Sequence, residues 1–242
     1  KTVRNLKAAF PAATINTLRE VVCDNPYDDI ALCGIRTRDL GEMLAGIAVK
    51  DGVISFVGAV PSELWSFDVG SIHYKGWFYQ GTDTTDIGAA YGRNVRSKLK
   101  TGGTCWLVGG AGAMGQMHTQ LAVENPDGPA RLLVTDLDDS RIEKMCSLLQ
   151  SSIESRDIEF KTLNPTTFKS QAEFEEAVRA FAPEGFDDIV MLVPVPAVLS
   201  GAAPFLAEDG LMNIFAGIPA GKQALLNVGD IAHKGARYVG SS

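Results

Sequence analysis

The chain is expected to fold as an α/β protein, a doubly wound, mostly parallel sheet preceded by a half-copy of the same fold. Three observations carry this expectation. An apolar run at 105–109 leads into Gly110-x-Gly112-x-x-Gly115, and Asp136 closes a second apolar run, Leu132-Leu133-Val134-Thr135, twenty-one residues after the last glycine. Strand-like and helix-like patterns alternate from there to the C-terminus, as right-handed βαβ units require. Three strand-like blocks also recur in one order, an internal repeat.

The elements follow in order. Residues 15–22 carry helical periodicity, 30–33 a short apolar strand, 40–48 a helix and 53–57 a strand. The aromatic stretch 73–79 is strand-like and 86–99 is helical. A strand at 105–109, a helix at 114–123 and a strand at 131–135 come next. Ile142, Met145, Cys146 and Leu149 then share one helical face, with Asp139 or Ser140 as N-cap. A short strand at 158–161 and a helix marked by Phe174, Val178 and Phe181 precede strands at 189–193, 211–215 and 236–240.

The repeat is read residue by residue. Asp28-Asp29-Ile30-Ala31-Leu32-Cys33 matches Asp187-Asp188-Ile189-Val190-Met191-Leu192 at an offset of 159. At the same offset, Val69-Gly70-Ser71-Ile72 through Tyr79 and Gly81 matches Val228-Gly229-Asp230-Ile231 through Tyr238 and Gly240, and residues 52–57 match 210–215 at 158. The expected division is a partial copy at 1–95, lacking the glycine motif, and a complete dinucleotide-binding domain at 96–242. The partial copy corresponds to the back half of the complete one and cannot hold a dinucleotide by itself.

A glycine triplet alone is weak evidence, since the chain has 25 glycines. A preceding strand, a following helix and an acid at the right distance make it specific. Gly110 permits the tight turn, Gly112 lets backbone approach a pyrophosphate, and Gly115 lets the helix pack on the strand. The helix N-terminus, with Ala113 and Met114, offers unpaired N–H groups to phosphates. Asp136 accepts the adenosine ribose hydroxyls and repels a 2′-phosphate, which favours NAD over NADP. Two other readings stand beside this one: a glycine-rich turn without a nucleotide, and a site for S-adenosylmethionine or a mononucleotide.

Of the 242 residues, 45% are hydrophobic and 21% charged, with net charge −7. That balance fits a globular protein and argues against a nucleic-acid surface or polybasic membrane anchor. The basic cluster Arg93, Arg96, Lys98 and Lys100 is expected on a solvated helix end. No apolar run is long enough for a membrane span and no signal peptide opens the chain. Cys23, Cys33, Cys105 and Cys146 show no paired spacing, so buried thiols in a reducing cytoplasm are expected. The missing initiator methionine hints at trimming or a fragment.

With these residues laid out, the chain resembles the cofactor-binding half of the medium-chain dehydrogenase/reductase family, the zinc-type alcohol dehydrogenases. The phrasing from Leu107 to Thr135 and the Phe215-Ala216-Gly217-Ile218-Pro219 block look most like the branch acting on sugar phosphates and polyols. The resemblance implies that Gly110, Gly112 and Gly115 hold the pyrophosphate and Asp136 the ribose, with Arg141 either reaching that ribose or standing as an exposed helix charge. It places Val193 and Pro194, and Ala216, Gly217 and Ile218, along the nicotinamide. For Pro194 and Pro196 a rigid loop before a helix is the other reading.

The family's zinc sites are not matched. His73, His118 and His233 have no metal-ligand spacing, and the closely spaced cysteines are missing. No zinc is expected in this chain, and no catalytic residue is assigned. His118 reads as a packed helix residue or a proton shuttle, Cys105 as core, and Tyr74 and Trp77 as packing or interface aromatics. The leading expectation is the NAD(H)-binding portion of an alcohol or polyol oxidoreductase whose catalytic domain is absent from this chain. Its partners would be NAD(H) and an alcohol, ketone or sugar phosphate. The alternative is a silent binding or assembly module in which the strands near 73–80 and 236–240 pair within one chain and imitate a dimer. The same strands could instead pair between chains in a homodimer.

Overall fold

The computed structural model describes residue 11 and residues 27–91 and 96–240. The helix expected at 15–22, Cys23 and Arg93 lie outside these. In chain order the strands are β1 (Tyr27–Cys33), β2 (Ala48–Val57), β3 (Leu64–Asp68), β4 (Phe78–Thr82), β5 (Thr104–Val108), β6 (Arg131–Thr135), β7 (Glu159–Leu163), β8 (Phe186–Met191), β9 (Leu206–Ile214), β10 (Gln223–Asn227) and β11 (Arg237–Gly240). Nine form one sheet in the order β1-β2-β4-β11-β9-β8-β5-β6-β7. Every neighbouring pair in it is parallel except β4 with β11.

The run β7-β6-β5-β8-β9-β11 is a doubly wound sheet with its reversal between β5 and β8, where open α/β sheets take ligands. Its central strands are apolar on both faces because helices cover both. Trp106, Leu133, Ile189 and Met212 face one core with Phe174 and Phe181. Leu107, Val134 and Val190 face the other, with Ile142, Met145 and Leu149.

The strands β1, β2 and β4 continue the sheet beyond β11. At the seam Tyr238 stands opposite Tyr79 and Val239 opposite Phe78. Above it, β3 and β10 make a two-stranded antiparallel ribbon with Ser66 opposite Leu225. In both pairings the opposed residues, 79 with 238 and 66 with 225, are 159 apart in sequence. Phe67 packs on Tyr79 at 5.3 Å and Phe56 meets Trp65 edge-on at 6.2 Å, so a buried aromatic cluster underlies ribbon and seam together.

Several local expectations are corrected. Residues 73–79 are not a strand: Val69–Lys75 is a helix, and β4 begins only at Phe78. Asp68 caps that helix by accepting the Ser71 N–H at 3.0 Å, and Gly76 ends it at φ +64°. The helix expected at 86–99 is confined, among the described residues, to Ile87–Tyr91. The one at 40–48 runs Arg38–Ala45, and Ala48 already belongs to β2. The N-cap of the helix Asp139–Arg156 is Asp138, which accepts the Arg141 N–H.

The basic cluster is not merely solvated. Arg96 Nη1 donates to both carboxylate oxygens of Asp188, at 2.7 and 2.8 Å, and Lys100 Nζ pairs with Asp187 at 2.5 Å. Burial raises the Asp188 carboxyl above its ordinary range, while the Arg96 hydrogen bonds pull it back down. Among the described residues no helix is long and apolar enough to cross a membrane.

Candidate functional site

Four parallel strands, β5, β6, β8 and β9, end on one rim of the sheet, and each is followed by residues singled out above. The rim is tied together by backbone bonds. Gly109 and Gly110 N–H groups both donate to the Thr135 carbonyl, Leu192 N–H to Val108, and Phe215 and Ala216 N–H groups to Met191.

The left-handed residue of the glycine turn is Gly109, at φ +84°, and not Gly110. A Cβ on Gly109 would overlap the Val193 side chain, and one on Gly110 would lie 2.5 Å from Val134 Cγ1. Gly110 is therefore required by packing rather than by its backbone angle. A Cβ on Gly115 would overlap the Gly109 carbonyl and stand 2.5 Å from the Gly110 carbonyl carbon. The helix Ala113–Glu124 thus seats directly on the turn. Gly112 differs: a Cβ there would meet nothing closer than Gly109 O at 3.6 Å and Arg141 Nη1 at 3.9 Å. A Cβ at Gly112 would thus sit in ordinary van der Waals contact with the turn and Arg141 without a clash. It lies beside the N-terminus of that helix, whose first internal bond is Gln116 N–H to Gly112 O.

Sequence reasoning missed the side chains that lock this turn. Gln116 Nε2 donates to the Ala111 carbonyl at 2.9 Å and Thr119 Oγ1 to the Gly110 carbonyl at 3.0 Å. Their signal is legible afterwards: both are polar residues on the inward side of an otherwise apolar helix face.

Asp136 is buried at the end of β6. Its Oδ2 accepts the Ala111 N–H at 3.2 Å, and its Oδ1 accepts the Asp138 N–H at 3.3 Å and pairs with Arg141 Nη2 at 3.2 Å. Arg141 also reaches Asp138 at 3.2 Å, so it bridges two carboxylates while half exposed. The Ser140 hydroxyl and the Arg141 amide hold Asp138 below the usual carboxylate range. Glycine turn, acid and arginine therefore form one connected unit.

On the other side of the reversal, Val193 is half-buried against Gly109, Pro194 is exposed, and Pro196 opens the helix Pro196–Ala202. Ala216 and Ile218 are buried, joined by an Ile218 N–H to Ala216 carbonyl bond of 2.7 Å, with Gly217 exposed between them. Near it stands Tyr74, from the helix Val69–Lys75: a Cβ on Gly217 would lie 3.1 Å from the Tyr74 hydroxyl oxygen. Sequence reasoning left Tyr74 as a packing or interface aromatic, because nothing local links it to residue 217.

The histidines are structural in their contacts. His118 packs edge-on against Phe215 at 4.4 Å, with Nδ1 2.9 Å from the Met114 carbonyl. His73 Nδ1 lies 3.0 Å from the Ile214 carbonyl and His233 Nε2 3.1 Å from that of Val60. Cys105 is fully buried, and burial pushes its thiol well up, which removes it as a thiolate nucleophile. Among the described residues no group of three or more His, Cys, Asp or Glu is placed to hold a metal ion.

No family model matches the chain. It is 36% identical over 123 residues to the uncharacterized protein YggP of Escherichia coli K12, covering 50% of this chain and 28% of that protein. It is 30% identical over 147 residues to mannitol-1-phosphate 5-dehydrogenase of Aliivibrio fischeri, covering 60% of this chain and 34% of that one. It is 31% identical over 146 residues to L-sorbose 1-phosphate reductase of Klebsiella pneumoniae, with the same two shares. An alcohol dehydrogenase zinc-binding domain protein from Burkholderia ambifaria is similar in structure over 60% of this chain and 34% of its own, at 22% identity and a TM-score of 0.46. The chain spans about a third of the length of the curated relatives it matches. The similarity to the two curated enzymes named for sugar phosphates therefore extends well beyond the glycine motif, over 60% of this chain.

Proposed function

We propose that this chain is the NAD(H)-binding portion of an oxidoreductase of the medium-chain alcohol or polyol dehydrogenase type, with its catalytic domain outside these residues. The observation that carries the reading is the joining of the glycine turn and the helix N-terminus to the Asp136–Arg141 pair, with Asp136 accepting the Ala111 N–H and a Gly112 Cβ meeting no atom nearer than 3.6 Å. The residues present fit a dinucleotide. Gly110, Gly112, Ala113, Met114 and Gly115 would receive the pyrophosphate, Asp136 and Arg141 the adenosine ribose, and Val193, Pro194, Ala216, Gly217 and Ile218 the nicotinamide. The bound nicotinamide supplies or takes up a hydride; the chain's own residues hold and orient it.

Supporting the idea of a further domain, Met114, Met117 and Leu121 are 48%, 56% and 67% exposed along one side of the helix after the turn. Such a stripe fits a surface covered by other protein. The expectation of buried thiols holds only for Cys105 among the described cysteines: Cys33 is exposed at the end of β1 and Cys146 is half-buried, and all three are free, which fits a reducing cytoplasm.

Calorimetric titration tests the site. NADH is expected to saturate, NADPH to bind at least about tenfold more weakly because its 2′-phosphate meets a carboxylate, and Asp136→Ala to narrow that gap. Absence of binding by either nucleotide removes the reading.

The β4–β11 seam favours a second reading for the N-terminal part. Residues 1–95 would be a partial repeat that occupies in cis the sheet edge at which a partner's last strand would otherwise pair. The expected result is a monomer by sedimentation equilibrium. A dimer persisting at low concentration would return the β11 edge to an intermolecular role.

A further inference from the structure

We propose that the Tyr74 hydroxyl, carried by the N-terminal part of the chain, is a binding group for the nicotinamide carboxamide at the Gly217 rim; the inference rests on the cofactor reading above. Gly217 is exposed after the end of β9, and the Tyr74 oxygen is, its chain neighbours aside, the one heavy atom among the described residues within 4 Å of the position its Cβ would take, at 3.1 Å. A carboxamide offers a carbonyl oxygen and an N–H₂, and a phenol both donates and accepts, so the two groups are matched.

The placement is rigidly built. Asp68 accepts the Ser71 N–H at 3.0 Å and the Gly221 N–H at 2.9 Å, tying the helix that bears Tyr74 to the turn after the rim. Gly70 lies so close to Pro219 that any side chain there would collide with its backbone. The tyrosine ring stands edge-on to His73 at 4.7 Å, and His73 is itself held by the Ile214 carbonyl.

The other part of the chain shows the contrast. His233, 159 residues after Tyr74, stands on the matching helix Val228–His233, and its Nε2 lies 3.1 Å from the Val60 carbonyl. That reach ends on protein. The Tyr74 hydroxyl makes no hydrogen bond among the described residues, and the residue is 55% exposed. The rim that adjoins the glycine turn is thus the one served by an uncommitted hydroxyl, whereas the rim without such a turn is closed by a bonded imidazole.

The test uses NADH and ADP-ribose, which lacks the nicotinamide, titrated into the chain and into Tyr74→Phe. The expected result is roughly five- to tenfold weaker NADH binding in Tyr74→Phe, as loss of one hydrogen bond implies, with ADP-ribose affinity and the urea midpoint unchanged. Gly217→Ala, which crowds the same hydroxyl, is expected to give the same selective loss. Unchanged NADH affinity in both variants overturns the role of Tyr74 while leaving the cofactor site intact. Equal losses for NADH and ADP-ribose overturn it too, since the effect would then be structural. Failure of the unsubstituted chain to bind ADP-ribose or NADH removes the cofactor reading and this inference with it.

Discussion

Gly115→Val is expected to destabilise the chain by about 3 kcal/mol or more and to abolish dinucleotide binding. The side chain would be driven into the Gly109 carbonyl and toward the Gly110 carbonyl carbon at 2.5 Å. Backbone on both sides leaves no flexible group to yield, so the helix Ala113–Glu124 must lift from the sheet. Gly112→Ala provides the contrast. Its Cβ meets nothing closer than 3.6 Å, and its backbone angles, φ −68° and ψ 175°, suit any residue. The fold should lose no more than about 1 kcal/mol from the poorer N-cap. Affinity for NADH should fall at least about tenfold, because the methyl fills the space assigned to phosphate. Urea unfolding and NADH titration on both variants check this. Retained affinity in Gly112→Ala would show that no ligand approaches the turn there.

Arg96→Met should cost about 3 kcal/mol, the price of leaving a buried carboxylate without its partner. Asp188 has a side chain 5% exposed, and besides Arg96 it keeps only the Lys100 N–H at 2.7 Å as a described partner. The pH dependence follows from the direction of its shift. Its folded-state pKa is raised, chiefly by burial, so on raising pH through the ordinary carboxylate range the unfolded chain ionises first and this group loses stability for the fold. Without Arg96 the carboxyl rises further. The deficit of Arg96→Met is therefore largest near neutrality and shrinks as the medium is acidified and a proton takes the guanidinium's place. A deficit below about 1 kcal/mol at neutral pH, or one flat with pH, would mean that this clip between the start of β5 and β8 is not holding the sheet.

The glycine turn, Asp136 and the alternation after residue 104 were legible because each leaves a local signature: a glycine spacing, an acid at a strand end, a change of hydrophobic period. The β4–β11 pairing was half legible: the strands near 73–80 and 236–240 match at an offset of 159, which left pairing within one chain and pairing between chains both open. What escaped was governed by caps and by distance in sequence. The stretch His73–Tyr79 is rich in strand-forming aromatics, yet Asp68 and Gly76 impose a helix on its first part, and those two cap residues were the available signal. The ribbon β3–β10 escaped because its strands, no shorter than β5 or β6, pair antiparallel across 159 residues, Ser66 opposite Leu225, and no local signal announces a partner that far away. Arg96 looked like a surface charge because its partner, Asp188, lies 92 residues away. Gly109 was passed over for Gly110 because the motif names three glycines, while the sterics of Val193 and the positive φ fall one residue earlier.

The seam between β4 and β11 has a consequence for synthesis. During translation β4 leaves the ribosome roughly 160 residues before β11, a delay of about 8–30 s at ordinary elongation rates. Through that interval the nascent chain presents an unpaired strand carrying Phe78 and Tyr79 beside a finished β2. Neighbouring ribosomes on one message would hold identical edges close together, the geometry in which strand-to-strand aggregation starts. The late closure is expected to make the soluble yield of this chain fall with rising growth temperature and recover with added chaperone, independently of how stable the finished sheet is.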